Sequence, residues 1–189
     1  MKTEKTTNME VIKTEFKDLY ILRPKVFEDD RGYFLETFNQ KVFKEKTGLD
    51  INFVQDNESE SFRGVLRGLH YQNEPHAQSK LVRVIKGAVL DVVVDLRPES
   101  DMYGEYFSIV LDNIHQEQLF IPKGFAHGFI TLSHKAVFAY KCDNYYNKES
   151  EGGIHPFDTR LNIDWLLTDT EVTLSKKDDI LPKFKKMKI

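Results

Sequence analysis

The chemistry in this 189-residue chain is concentrated in RGVLRGLHYQ, Arg63 to Gln72, a strand-like run that carries two arginines and a histidine where a buried strand should be apolar. Burying such groups costs several kcal/mol unless partners or a ligand satisfy them. A histidine can hold or release a proton near neutral pH, and guanidinium groups suit phosphate and carboxylate, so the segment reads as the floor of an anionic-substrate site. His70 is the first candidate for a catalytic group. A second cluster, IPKGFAHGF, sets Pro122, Gly124 and His127 in a P-x-G-x-x-H spacing.

The elements that must position these residues are strands. Between Leu19 and Tyr146, short β-branched and aromatic runs are separated by Gly, Pro, Asn or Asp, the pattern of an all-β sandwich or barrel. In KLVRVIKGAVLDVVVDLR, alternation places Leu90, Val92 and Val94 on one side and Asp91, Val93 and Asp95 on the other, with Lys86-Gly87 as the turn of an expected hairpin. Further strands are expected at YFSIVL, QLFIP, GFAHGFITLS and AVFAYKCDNYY. FNQKVFKEKTG reads as a short helix starting near Asn39 and stopping at Gly48. The polar start is expected to be loosely ordered to about residue 10. The region from about 154 to 189 is expected to pack on the strands as an extension of a single domain, its lysine-rich end in solvent.

Hydrophobic residues make up 40% and charged residues 30% of the chain, values of an ordinary globular domain. A formal net charge of -3 argues against a general nucleic-acid or membrane-surface binder, so the arginines should serve a local anion. The one cysteine, Cys142, has no internal disulfide partner, and no secretory or membrane-spanning apolar run is present, which together point to the cytoplasm.

IPKGFAHGF resembles the second half of the cupin signature, in which the histidine points into a barrel, commonly at a metal. The first half normally supplies two histidines two residues apart. Here the run is His70-Tyr71-Gln72, and glutamine is a poor transition-metal ligand, while His76 lies beyond an expected turn at Glu74-Pro75. No metal and no other cofactor are therefore expected.

With both segments in view, the chain resembles the dTDP-4-dehydrorhamnose 3,5-epimerase family, a metal-free branch of the cupin-like jelly rolls. The resemblance rests on DDRGYFLETF, VQDNESES, RGVLRGLHYQ, QSKLVRVIKGAVLDVVVDLRPES, FIPKGFAHGF, AYKCDNYY and LSKKD, seven motifs in order. It implies an all-β, cupin-like jelly-roll sandwich or barrel with a few short helices, acting as a homodimer on a dTDP-linked 4-keto-6-deoxyhexose. The ketone acidifies the flanking C3 and C5 hydrogens, and removing each while returning a proton to the other face inverts both centres. The resemblance assigns His70 as the base, Asp178 as its orienting partner, Lys80 as the cation beside the developing oxyanion and Tyr140 as the acid on the opposite face. It implies substrate contacts at Arg31, Glu36, Gln55, Asn57, Arg67, His127 and Glu151, with Lys177 beside the dyad. Arg31 and Arg67 suit the pyrophosphate, Gln55 and Asn57 suit hydroxyl or base edges, and Phe27, Tyr33 and Tyr145 could stack on thymine.

Three alternatives stay open on sequence. The chain could invert one centre only, it could be a metal-dependent cupin oxygenase using His70, His76 and His127, or it could be a non-catalytic sugar-nucleotide binder. Arg67 and His70 also have opposite parity, so a regular strand would send them to opposite faces. Either Gly68 hosts a bulge that re-aims one, or Arg67 serves a neighbouring site in a dimer.

Overall fold

Alternation of β-branched and aromatic residues with polar ones builds thirteen strands in the computed structural model, which describes residues 8–184. In chain order they are β1 (Met9–Lys13), β2 (Tyr20–Pro24), β3 (Val26–Asp29), β4 (Gly32–Leu35), β5 (Gln55–Phe62), β6 (Leu66–Gln72) and β7 (Lys80–Lys86). The rest are β8 (Ala88–Asp95), β9 (Tyr106–Asp112), β10 (Gln118–Ile121), β11 (Phe125–Thr131), β12 (Lys135–Cys142) and β13 (Glu151–Gly153). One sheet runs β1-β2-β10-β7-β12-β5, a second runs β13-β6-β11-β8-β9, and β3-β4 form a separate hairpin. Every ladder in the three sheets is antiparallel. The two larger sheets face each other as a cupin-like jelly-roll sandwich.

The expected β7–β8 hairpin is corrected by this topology. The two strands do turn at Gly87 (φ 82°), but β7 joins the first sheet and β8 the second, so the turn is a corner between layers. Alternation has the same period in both arrangements and cannot separate them. A Cβ on Gly87 would lie 2.2 Å from the Lys135 carbonyl oxygen, so the corner admits only glycine.

Between the sheets, Val82, Val84, Leu119, Ile121 and Phe138 of the first pack against Val89, Val93, Leu111, Phe125 and Phe129 of the second. The Phe129 and Phe138 rings stack with centroids 4.1 Å apart. On the outer face of the first sheet lies α1 (Gln40–Thr47), which buries Phe43 against Phe120. Its ends match expectation: the Asn39 side chain accepts from the Val42 N–H, and Gly48 closes the helix in the left-handed conformation.

Leu90, Val92 and Val94 face the other outer surface, where Ile154, Leu161, Trp165 and Phe184 of the C-terminal segment cover them. Each such buried side chain contributes about 1.5–3 kcal/mol, which holds in place a segment that has few ladder hydrogen bonds. Phe184 is buried, so this end of the chain is docked at least that far; the remaining expected tail, residues 185–189, lies outside the described residues. At the other end, residues 1–7 lie outside the described residues, and regular structure begins at Met9, within the stretch expected to be loose.

Candidate active site

The parity conflict in β6 is resolved by a bulge. Along β11, His127 pairs with His70 and Phe129 pairs with Arg67, so two steps on one strand match three on the other. Leu66 and Leu69 consequently face the C-terminal segment, while Arg67 and His70 share the face that looks between the sheets. Gly68 sits at the bulge with φ 127°, and a Cβ there would lie 2.5 Å from Gly128 Cα and 2.9 Å from the His127 carbonyl oxygen. Only glycine allows the two backbones this close.

His70 meets the C-terminal segment across this face. Thr173 hydrogen bonds to the backbone of Gly64 and Leu66 beside the start of β6, and the chain then turns so that the Ser175 hydroxyl accepts from the Asp178 N–H. That turn delivers the buried Asp178 carboxylate to 2.7 Å from His70 Nε2. The contact fixes the tautomer, because neutral imidazole must then donate from Nε2 and keep its lone pair on Nδ1. Nδ1 is buried and has no hydrogen-bond partner among the described residues. Burial lowers the His70 pKa, and Asp178 opposes the shift only in part, so the ring is neutral and basic near pH 7. A second carboxylate, Glu151, lies 3.7 Å from Nδ1. Glu151 accepts from Lys177 Nζ at 2.6 Å and from the Tyr146 hydroxyl at 2.9 Å. Burial works against its ionisation, but these two hydrogen bonds prevail and hold its carboxyl below the usual range.

The register of β7 and β12 supplies the facing groups. Tyr140 pairs with Val82 and Cys142 with Lys80, on the inward rows that elsewhere carry core residues. Lys80 forms no ion pair or hydrogen bond with a described residue, and burial lowers its pKa. Burial raises the Tyr140 pKa, keeping the phenol protonated, while nearby Arg67 works the other way. Opposite them, His127 Nε2 lies 2.9 Å from Asp91 Oδ2, and Asp91 Oδ1 is buried without a partner among the described residues. Arg67, His70, Lys80, His127, Tyr140 and Asp178 border one cavity of about 620 Å³, with Asn57 and Lys177 also on its wall. A side cavity of about 350 Å³ shares His70, Lys80 and Tyr140 and adds Gln55 and Glu151. Chemically, the arrangement offers a neutral base held by a carboxylate, a cation and a protonated phenol around a space large enough for a sugar.

The family model described as dTDP-4-dehydrorhamnose 3,5-epimerase matches residues 13–186. The chain belongs to this family. It is 51% identical over 173 residues to a dTDP-4-dehydrorhamnose 3,5-epimerase from Shigella flexneri, covering 89% of this chain and 96% of the relative. The crystal structure of the family member from Elizabethkingia anophelis superposes with a TM-score of 0.91 at 52% identity, covering 94% of this chain and 97% of that one. A dTDP-6-deoxy-D-glucose-3,5-epimerase from Legionella pneumophila, solved in complex with dTDP-4-keto-L-rhamnose, superposes at 0.86 with 45% identity, covering 94% of this chain and all of that one.

Of the residues that resemblance to the dTDP-4-dehydrorhamnose 3,5-epimerase family singled out, His70, Lys80, Tyr140 and Asp178 come together, joined by Gln55, Asn57, Arg67, His127, Glu151 and Lys177. Arg31 and Glu36 do not. Arg31 lies in the β3–β4 turn, almost fully exposed and paired with Asp29, and Glu36 bonds Asn39. Phe27 and Tyr33 are exposed on the same hairpin, and Tyr145 is exposed beyond the cavity, so none of the three aromatic rings lines it within one chain. Among the described residues no group of three His, Cys, Asp or Glu is placed to hold a metal ion. Gln72 instead accepts from the Asn147 N–H. Sequence reasoning missed Asp91 as a site residue and weighed Tyr146 only as a competitor of Tyr140. Asp91 was on the polar face of β8 by alternation, but its partner, 36 residues away, depends on the β8–β11 register.

Proposed function

We propose that the protein is a cofactor-independent isomerase that inverts C3 and C5 of dTDP-4-dehydro-6-deoxy-D-glucose to give dTDP-4-dehydro-L-rhamnose, a step towards dTDP-L-rhamnose. The observation that carries this reading is the His70–Asp178 pair at 2.7 Å, opening onto a cavity shared with Lys80 and Tyr140. A small shift of the His70 ring brings its buried Nδ1 to the cavity, where it removes the proton beside the ketone, and Asp178 stabilises the imidazolium that results. Lys80 sits by the C4 oxygen and stabilises the enolate; such a preorganised charge is worth roughly 3–4 kcal/mol in a water-poor site. Tyr140 returns a proton to the opposite face. Arg67, Lys177 and His127 face the diphosphate and sugar hydroxyls, with Gln55 and Asn57 reading polar edges.

The working form is a homodimer. The β3–β4 hairpin exposes Phe27, Tyr33 and Phe34 together with Arg31, and none of these side chains lines either cavity of the site. Supplying Arg31 and Glu36 to a second copy would give both a substrate. The enzyme works in the cytoplasm, in keeping with a single cysteine that is buried and free.

Proton NMR of the ketosugar with enzyme in heavy water tests substrate, reaction and number of centres together. Deuterium should enter at C3 and C5 whether or not a chelator is present. Exchange at one carbon would make the protein a mono-epimerase, chelator sensitivity would favour the oxygenase-type alternative, and binding without exchange would make it a non-catalytic module.

A further inference from the structure

Two inversions by one base and one acid create a proton imbalance after the first. His70 then carries the proton taken from carbon, and Tyr140 lacks the one it gave. Neither can act again until His70 loses a proton and Tyr140 regains one. Asp178 occupies Nε2, so the proton taken from the sugar sits on Nδ1, which has no hydrogen-bond partner among the described residues. Glu151 Oε1 is 3.7 Å away, and side-chain motion of roughly 0.7 Å brings the pair to an ordinary hydrogen bond of about 3.0 Å. Beyond it, Glu151 Oε2 accepts from Tyr146, a residue that is 52% exposed. The side cavity of about 350 Å³ is lined by both His70 and Tyr140, together with Gln55, Gln72, Tyr146 and Glu151. At about 30 Å³ per molecule it has room for several waters.

We propose that Glu151 is the proton exit of His70, passing the abstracted proton through the side cavity so that base and acid are reset between the two inversions. The proposal rests on the reaction assigned above and gives Glu151 a task other than the substrate contact that family resemblance implies. The balance is complete: the C–H proton goes to Nδ1 and its electron pair into the enolate, and the Tyr140 proton goes to the opposite face of carbon. The Nδ1 proton then passes to Glu151 and on to water, and water returns one proton to the Tyr140 phenolate. Lys177 and Tyr146, both bonded to Glu151, favour its ionised form, so the relay releases its proton rather than retaining it.

The test compares the wild type with Glu151→Gln and Tyr146→Phe in single turnovers of dTDP-4-dehydro-6-deoxy-D-glucose in heavy water, with deuterium at C3 and C5 read by NMR. In E151Q the ratio of second to first inversion should fall about tenfold or more, so that singly inverted sugar accumulates, and rising imidazole buffer should restore the ratio. Y146F should show a smaller, equally buffer-dependent fall, and it carries the test alone should E151Q fail to fold. A ratio equal to that of the wild type, a fall that buffer leaves unchanged, or a raised KM with the ratio intact overturns the proposal. A wild type that exchanges neither carbon overturns the assigned reaction instead. If the wild type inverts one centre only, the readout becomes kcat, whose buffer dependence in E151Q decides in the same way.

Discussion

Replacing Asp178 by Asn isolates the electrostatic part of the dyad, because the amide keeps the shape and one neutral hydrogen bond. Asp178 is buried and its Oδ1 lies 2.7 Å from His70 Nε2, a separation at which opposite unit charges attract by about 6 kcal/mol at an effective dielectric near 20. Charge-assisted hydrogen bonds are about twice as strong as neutral ones, so about half of that, roughly 3 kcal/mol of imidazolium stabilisation, is lost. At 1.36 kcal/mol per tenfold, abstraction should slow on the order of 10²-fold. The pH profile supplies an independent sign. Burial already lowers the His70 pKa and Asp178 pulls it part of the way back, so losing the carboxylate lowers it further. His70 is then neutral to lower pH, and the acid limb of kcat/KM should move to lower pH while the plateau falls. Initial rates of deuterium uptake across the histidine titration range measure both. A plateau within about threefold of the wild type, or an acid limb displaced to higher pH, would refute the dyad as argued.

Gly68→Ala should cost at least about 2 kcal/mol, because its Cβ meets backbone atoms of Gly128 and His127 that cannot swing aside; a thermal melt should fall by roughly 4–8 °C. Lys80→Met should lower kcat by about 10²–10³-fold without lowering Tm. The sign follows from the depressed Lys80 pKa: a protonated amine that burial disfavours opposes folding below its unfolded pKa, and methionine removes that penalty, so a Tm several degrees below the wild type would contradict it. Cys142, whose thiol burial pushes up to about 11, should resist iodoacetamide in the native protein and label once urea unfolds it, as read by intact mass.

The sheet class and the caps of α1 were legible because they depend on local rules. Period-two alternation needs a pleated strand, and Asn39 and Gly48 satisfy helix ends within a few residues of themselves. Partner choice was less legible. The same alternation across Lys86-Gly87 serves a hairpin or a corner, and only the packing of Val82 and Val84 against Val89 and Val93 decides for the corner. Within the site, His70 stood out with two arginines as polar groups on a run that a buried strand would keep apolar, and Gly68 marked where a bulge could form. Asp178 had no such local signal in Lys176-Lys177-Asp178-Asp179; its place depends on a turn docked 108 residues away in sequence from His70. Asp91 and Tyr146 were opaque for the same reason, since each is defined by a long-range partner or a cavity wall.

The strands and the C-terminal segment contribute to the site in unequal ways. Lys80, Tyr140, His127 and Asp91 project from the same strands whose apolar neighbours form the inter-sheet core, so their positions are as rigid as that core. Asp178 and Lys177 arrive on a segment held mainly by the burial of Ile154, Leu161, Trp165 and Phe184 against the outer face. Of the three buried side-chain atoms without a partner among the described residues, His70 Nδ1 lies where these parts meet, on the ring that bonds Asp178, whereas Asp91 Oδ1 lies within the sandwich beside His127. Native folds bury few such atoms, and here His70 and the His127 partner of Asp91 both border a cavity suited to a polar ligand. The fold thus leaves one of its unsatisfied polar atoms, His70 Nδ1, at the junction of a rigid sandwich and a separately anchored strap. Loosening the strap would separate Asp178 from His70 while the sandwich stayed folded, so activity should be lost at a lower denaturant concentration than the β-sheet circular-dichroism signal.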